Sequence, residues 1–146
     1  MARLGRLARG LVLIFVVAVT VNYAWELAQT PLYAGVDFSG AAWHCFVASL
    51  GDGVLLLFIY AAVALATRSL DWYMHPGVQA YFAMAAAGLT VSVAVEWWGL
   101  HIARRWQYSE LMPIIPGAGV GLAPILQMLL LPPAIFIAVR WLAAPR

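Results

Sequence analysis

The sequence predicts an all-α integral membrane protein, a four-helix bundle with both termini in the cytoplasm. Hydrophobic residues make up 65% and charged residues 10% of the 146 residues, and the mean hydropathy is +0.90. Because a soluble domain carries about 25% charged residues, this chain has too few of them to form a solvated surface. Four apolar stretches, joined by short connections rich in Gly and Pro, approach the ~20 residues that cross a bilayer.

Composition also excludes several other classes of protein. Cys45 is the only cysteine, which excludes a disulfide-stabilised secreted scaffold. The high apolar content excludes a disordered chain. Eight arginines scattered along the sequence form no basic patch, so we expect no nucleic-acid partner.

The predicted spans cover about residues 11–30, 43–67, 78–100 and 120–142. Nothing between them indicates a boundary between domains, so we interpret residues 1–146 as a single transmembrane domain. The arginine-rich start followed by an apolar run is similar to a signal peptide. No clear small-x-small cleavage site follows that run, which favours a retained first helix.

The orientation follows from the uneven distribution of arginines between the two sides of the predicted bundle. The cationic side has six of them, at Arg3, Arg6, Arg9, Arg68, Arg140 and Arg146, and the opposite side has Arg104 and Arg105. Cytoplasmic connections carry an excess of basic residues. The sequence therefore predicts that both termini and the connection around Arg68 are cytoplasmic.

Few residues within the spans are strongly polar, and they fall in one half of the bundle. They occur on all four predicted helices, at Asn22, Glu26 and Gln29, then His44 and Asp52, then Ser92 and Glu96, and finally Gln127. On the first helix they recur at i, i+4 and i+7, which is one helical face. All four helices therefore direct polar groups into the outer half of the membrane.

Three carboxylates on three helices predict a converging site. A carboxylate at a helix centre costs about 2.5 to 3.5 kcal/mol on insertion scales, so such residues meet each other, an arginine or a ligand. We predict that Glu26, Asp52 and Glu96 form a catalytic cluster. The alternative is a structural ion pair, in which Arg104 or Arg105 neutralises Glu26 and Glu96.

Other polar and aromatic residues are predicted to surround these carboxylates. Two arginines beside Trp and Tyr in the third connection can hold an anion or stack on aromatic faces. The predicted ligand-binding residues are Asn22, Trp25, Gln29, Arg104, Arg105, Trp106, Tyr108 and Gln127. A metal centre with hard oxygen ligands and one imidazole is left open, with Glu26, His44, Asp52 and Glu96 as its ligands; the sequence identifies no cofactor.

Several motifs resemble those of a family of small bacterial four-helix membrane proteins. They are the segment 23–33 (YAWELAQTPLY), Gly51-Asp52-Gly53, Glu96-Trp97, the segment 105–108 (RWQY) and Met112-Pro113. The resemblance covers nearly the whole chain; it implies the bacterial inner membrane and no activity. In architecture alone, four helices with intramembrane carboxylates are similar to emopamil-binding-protein-like sterol isomerases, where a buried acid pair moves a proton on a lipophilic substrate.

The resulting functional hypothesis is a polar pocket that binds or transforms a lipophilic small molecule by acid/base chemistry. Glu26 and Glu96 would exchange the proton, Asp52 would orient or stabilise positive charge, and Arg105 with Tyr108 would hold a head group. The alternatives are a transporter coupled to protons or metal cations, and an accessory subunit of a larger membrane complex. Expected partners are membrane lipid and a lipophilic small molecule, with a homo-oligomer or larger complex left open.

Overall fold

The computed structural model describes residues 2–35 and 38–143, and these residues form four long α-helices. Helix α1 spans Ala2–Gln29, α2 spans Phe38–Thr67, α3 spans Val78–Trp97 and α4 spans Leu122–Ala143. Each contains a stretch long and apolar enough to cross a membrane. The predicted class, an all-α four-helix membrane bundle, is therefore confirmed.

The side chains of two of the six arginines that predict the orientation are not described. Arg146 lies outside the described residues, and so does the side chain of Arg3. Arg6, Arg9, Arg68 and Arg140 are exposed, and all four lie at the end of the bundle where α1 and α3 begin and α2 and α4 end.

Helices α1 and α2 begin earlier than their apolar runs predict, at Ala2 and Phe38 rather than near residues 11 and 43. In α1 the early start follows because Ala, Leu and Arg favour helix and no proline interrupts them. Helix α1 ends in a 3₁₀ turn over Thr30–Leu32, since Pro31 lacks the N–H that would continue the helix. Helix α3 continues into a single π-helical turn, Trp98–Ile102, which no sequence pattern indicated.

The four helices form a closed ring around two different interiors. Each helix packs against the next one along the chain, and α1 packs against α4. The apolar core occupies the arginine-bearing half of the ring, where the buried side chains include Ile14, Leu56, Ile59, Val63, Ile135 and Phe136. The buried polar residues lie in the other half, as the sequence predicts.

Helices α3 and α4 approach each other closely at Gly88. Pro132 lies inside α4 and has no N–H to donate to the carbonyl of Met128, one turn earlier. That carbonyl contacts Gly88 at a position that any Cβ would overlap. The proline frees a carbonyl, and the glycine gives it room beside the neighbouring helix.

The first and third connections are joined at the polar end of the bundle. The backbone N–H of Ala34 donates to the Gln107 carbonyl at 2.9 Å, and that of Ser109 donates to the Leu32 carbonyl at 2.9 Å. This short antiparallel pairing holds Tyr108 above the helix ends. Two connections far apart in sequence therefore form the end of the cavity described next.

Candidate functional site

A small, partly open cavity lies between the helices in the polar half of the bundle. Its wall includes Glu26 from α1, Asp52 from α2, Glu96 from α3 and Gln127 from α4. The structure thus brings the three carboxyl groups that the sequence singles out to a common cavity. The remaining lining residues are Gln29, Tyr33, Leu55, Ser92, Val95, Pro124 and Met128.

Helical spacing places the polar groups on the inner faces of their helices. Asn22 is 0% exposed and Gln29 is 5% exposed, so the face that carries Glu26 is directed into the bundle. On α3, Ser92 lies one turn before Glu96, and both are buried. The spacing of these residues along regular helix therefore accounts for the inward direction of the polar side chains on α1 and α3.

Gln127 is the centre of a side-chain hydrogen-bond network that links three helices. Its Nε2 donates to Asn22 Oδ1 at 2.8 Å, Asp52 Oδ2 at 3.0 Å and Glu26 Oε1 at 3.2 Å. Gln29 Nε2 donates to Glu26 Oε1 at 2.9 Å and to Gln127 Oε1 at 3.2 Å. A carboxamide nitrogen has two protons, so Gln127 cannot satisfy all three acceptors at once.

Glu26 and Asp52 form a carboxyl pair beside this network. Within residues 2–35 and 38–143, both accept a hydrogen bond from Gln127 Nε2, and Glu26 also accepts one from Gln29 Nε2. Because two like charges that share a site repel each other, such a pair favours the state in which one carboxyl group keeps a proton. The pair can therefore hold a proton in a neutral, amide-lined setting.

Glu96 has a separate set of donors, which come from the third connection. Its Oε2 accepts hydrogen bonds from the Tyr108 hydroxyl and from Trp106 Nε1, the latter at 3.3 Å. The Tyr108 oxygen in turn accepts from the Gly121 N–H at 2.8 Å. The Trp106 ring lies against Gly99, where any Cβ would overlap it. Glycine at that position therefore allows the indole to reach the carboxyl group.

Two tyrosines outside the spans keep their phenolic protons. Burial raises the pKa of Tyr108, and its hydrogen bond to Glu96 raises it further. Burial also raises the pKa of Tyr33, with the charge of Glu96 as the next cause. The two rings lie with centroids 5.7 Å apart. Both hydroxyls therefore keep their protons at neutral pH, and Tyr108 orients Glu96.

The predicted arginines lie away from the cavity. Arg104 and Arg105 are exposed and are not among its lining residues; the backbone N–H of Arg105 donates to the Gly99 carbonyl at 2.9 Å. The geometry therefore gives no support to a head-group contact or to an ion-pair clasp by these residues. Trp25 stands behind the lining, where its indole donates to Gln29 Oε1 at 3.1 Å.

The four residues named for a metal centre are not gathered into one. His44 is exposed and does not line the cavity that holds Glu26, Asp52 and Glu96. In the part of the chain that the structure describes, no three His, Cys, Asp or Glu side chains are placed to hold a metal ion. The physical reason is that His44 is eight residues before Asp52, two turns nearer the end of α2.

Sequence reasoning missed one polar residue of the lining, Tyr33. It places Ser92 among the converging polar residues, one helical turn from Glu96, without naming it as a binding residue. Tyr33 carried no usable signal: its aromatic character indicates a membrane interface, and only the pairing of the two connections turns it inward. By contrast, Trp43, Trp97 and Trp98 are 72%, 49% and 49% exposed, as residues of an interfacial belt would be.

Chemically, the site offers a proton-holding pair, a separately oriented carboxyl group and an apolar wall. Comparison of the chain with protein-family models, with curated proteins and with solved structures found no match. The function is therefore argued from the geometry of the cavity alone.

Proposed function

We propose that this is a bacterial inner-membrane protein whose cavity binds a lipophilic small molecule and moves a proton on it by acid/base chemistry. The observation that carries the proposal is the convergence of Glu26, Asp52 and Glu96 on one cavity. Among the described residues, their hydrogen-bond donors are carboxamides, an indole and a phenol rather than arginines. Carboxyl groups in such an environment are suited to carrying protons or meeting a ligand.

The two sets of carboxyl groups have complementary tasks in this proposal. Glu26, supported by Asp52 and Gln127, donates the proton that the pair holds. Glu96, oriented by Tyr108, removes a proton from another position of the bound molecule. The molecule gains one proton and loses one, so it is rearranged without a net change in charge. Transfer of a proton from Glu96 back to the pair of Glu26 and Asp52 then resets the carboxyl groups.

The apolar part of the lining defines the chemical class of molecule. Leu55, Val95, Pro124 and Met128 share the wall with the carboxyl groups. A molecule that is mainly hydrocarbon, with one polar or unsaturated centre, therefore fits better than a sugar or a nucleotide. Such a molecule reaches the cavity from the bilayer, where it is already dissolved.

We also propose that the cavity faces the outer leaflet and that both termini are cytoplasmic. The support is the exposed arginines Arg6, Arg9, Arg68 and Arg140 at the opposite end of the bundle, since basic residues are retained on the cytoplasmic side. A reporter fused after the last residue should be active in the cytoplasm, and one inserted near Ser109 should be active outside. The opposite pattern would reverse the orientation.

Labelling with a lipophilic carbodiimide tests the premise of the proposed activity, that the cavity carboxyl groups carry a proton and are reached from the membrane. Dicyclohexylcarbodiimide dissolves in the membrane and reacts with carboxyl groups that carry a proton. Purified protein in lipid nanodiscs is treated at neutral pH, and peptide mass spectrometry locates the adduct. We expect the adduct on Glu26, Asp52 or Glu96, and we expect Glu26→Gln to reduce it.

Exposed carboxylates supply the internal control. Asp71 and Glu110 are exposed in the connections and should react with a water-soluble carbodiimide instead. Glu110→Gln should leave the lipophilic labelling unchanged. Labelling of Asp71 and Glu110 in place of the cavity carboxyl groups would contradict the proposal.

A further inference from the structure

A second recess lies at the arginine-bearing end of the bundle, far from the carboxyl groups. It is a small groove between α3, α4 and the connection that joins α2 to α3. Its apolar wall includes Trp72, Met84, Phe136 and Ile137, and its lining also includes Tyr73, Tyr81 and Arg140, which carry polar groups. The proposed acid/base chemistry uses none of these residues.

The groove has a buried aromatic floor and an exposed rim. Trp72 and Phe136 are 4% and 3% exposed, and their rings meet edge to face with centroids 4.6 Å apart. Ile137 is 46% exposed and Tyr81 is 43% exposed. The groove therefore offers an apolar surface along which a hydrocarbon chain can pack.

Two polar groups of the groove share one depth in the membrane. Arg140 lies in the last turn of α4, and Tyr81 lies in the first turn of α3. The neighbouring Trp141 is 78% exposed, as expected of an aromatic anchor at the membrane–water interface. The guanidinium and the phenol are therefore at the level of lipid head groups, directly above the apolar floor.

From this placement we propose that the groove is a binding site for an anionic phospholipid. An acyl chain would lie along Met84, Phe136 and Ile137, while Arg140 and Tyr81 would hold the phosphate. Basic recesses between membrane helices bind acidic head groups in this manner, and a guanidinium pairs with two phosphate oxygens. Exposed Arg6, Arg9 and Arg68 at the same end add attraction for negatively charged lipids. The site is independent of the proposed acid/base function.

Native mass spectrometry of the detergent-released protein tests the site. The probes are phosphatidylglycerol and phosphatidylcholine with identical acyl chains, and inorganic phosphate as competitor. We expect phosphatidylglycerol to bind more tightly, and Arg140→Gln to weaken that binding about fivefold. Arg140→Lys should restore part of the affinity, because an ammonium keeps the charge but cannot pair with two phosphate oxygens. Inorganic phosphate should fail to displace the lipid, because it cannot use the apolar floor.

Arg68→Gln is the matched control, because it removes an exposed arginine from the same end without touching the groove. It should weaken phosphatidylglycerol binding much less than Arg140→Gln does, because it removes only a distant attraction and no contact in the groove. Equal affinity for the two lipids would overturn the proposal, and so would an equal loss in the Arg140→Gln and Arg68→Gln variants. A dimer that persists in place of bound lipid would show that a second copy of the chain occupies the groove, and would overturn it as well.

Discussion

Replacement of Gln127 by leucine is the change that most directly probes the polar network. Gln127 is 2% exposed and bonds to residues of α1 and α2 through both its nitrogen and its oxygen. Leucine has a similar volume and fits the same helix position. The substitution therefore removes the hydrogen bonds with little change in packing.

The expected cost follows from the number of bonds lost. Two donated bonds and one accepted bond disappear, each worth about 0.6 kcal/mol on average in a membrane bundle. Asn22 is 0% exposed, so its carbonyl oxygen is left buried without that donor, at a further cost of about 1 to 3 kcal/mol. We expect Gln127→Leu to lower the free energy of unfolding by roughly 3 to 5 kcal/mol.

Unfolding in mixed micelles with increasing dodecyl sulfate, followed by tryptophan fluorescence, measures this difference. Gln79→Leu is the matched control, because Gln79 is exposed and makes one hydrogen bond, to the Ala66 carbonyl. Its free energy of unfolding should change by less than about 0.5 kcal/mol. If the two variants were equally stable, the network around Gln127 would not hold the helices together and the reasoning would be refuted.

Three further predictions concern glycine packing, tyrosine ionisation and the carboxyl groups. Gly88→Ala should cost about 1 to 3 kcal/mol, because its methyl group overlaps a backbone carbonyl of α4, while Gly51→Ala, with open space around it, should not destabilise the protein. The free energy of unfolding should decline as the pH rises above about 10. The reason is that the pKa of Tyr108 is raised in the folded protein, so the unfolded chain loses the phenolic proton first. Tyr108→Phe should lessen this decline. The free energies of unfolding of the Glu26→Gln and Glu96→Gln variants should be close to that of the unchanged protein. If an arginine were paired with these carboxyl groups, each substitution would lower the free energy of unfolding by about 3 to 5 kcal/mol.

The helices and their inward faces could be predicted from sequence because each depends on local pattern. Apolar runs identify the four helices, and the spacing of Asn22, Glu26 and Gln29 identifies the polar face of α1. The inference that carboxylates avoid lipid then directs Glu26, Asp52 and Glu96 toward the interior. These steps need no knowledge of how the connections fold.

The end of the cavity depends on contacts that local pattern does not encode. Tyr33 reaches the cavity through the pairing of Leu32 with Ser109 and of Ala34 with Gln107, residues more than 70 positions apart. The π-helical turn after α3 changes the direction in which the following residues point. Arg104 and Arg105, which sequence reasoning placed toward the carboxyl groups, accordingly lie at the surface.

A crystal structure of the protein grown from a lipidic mesophase would test the central claim most directly. The claim is that the cavity receives a lipophilic molecule among carboxyl groups that no arginine neutralises. We predict elongated electron density in the cavity, with its polar end within hydrogen-bond distance of Glu26, Asp52 or Glu96. A cavity filled by water alone, or by the Arg105 guanidinium paired with Glu96, would contradict the account.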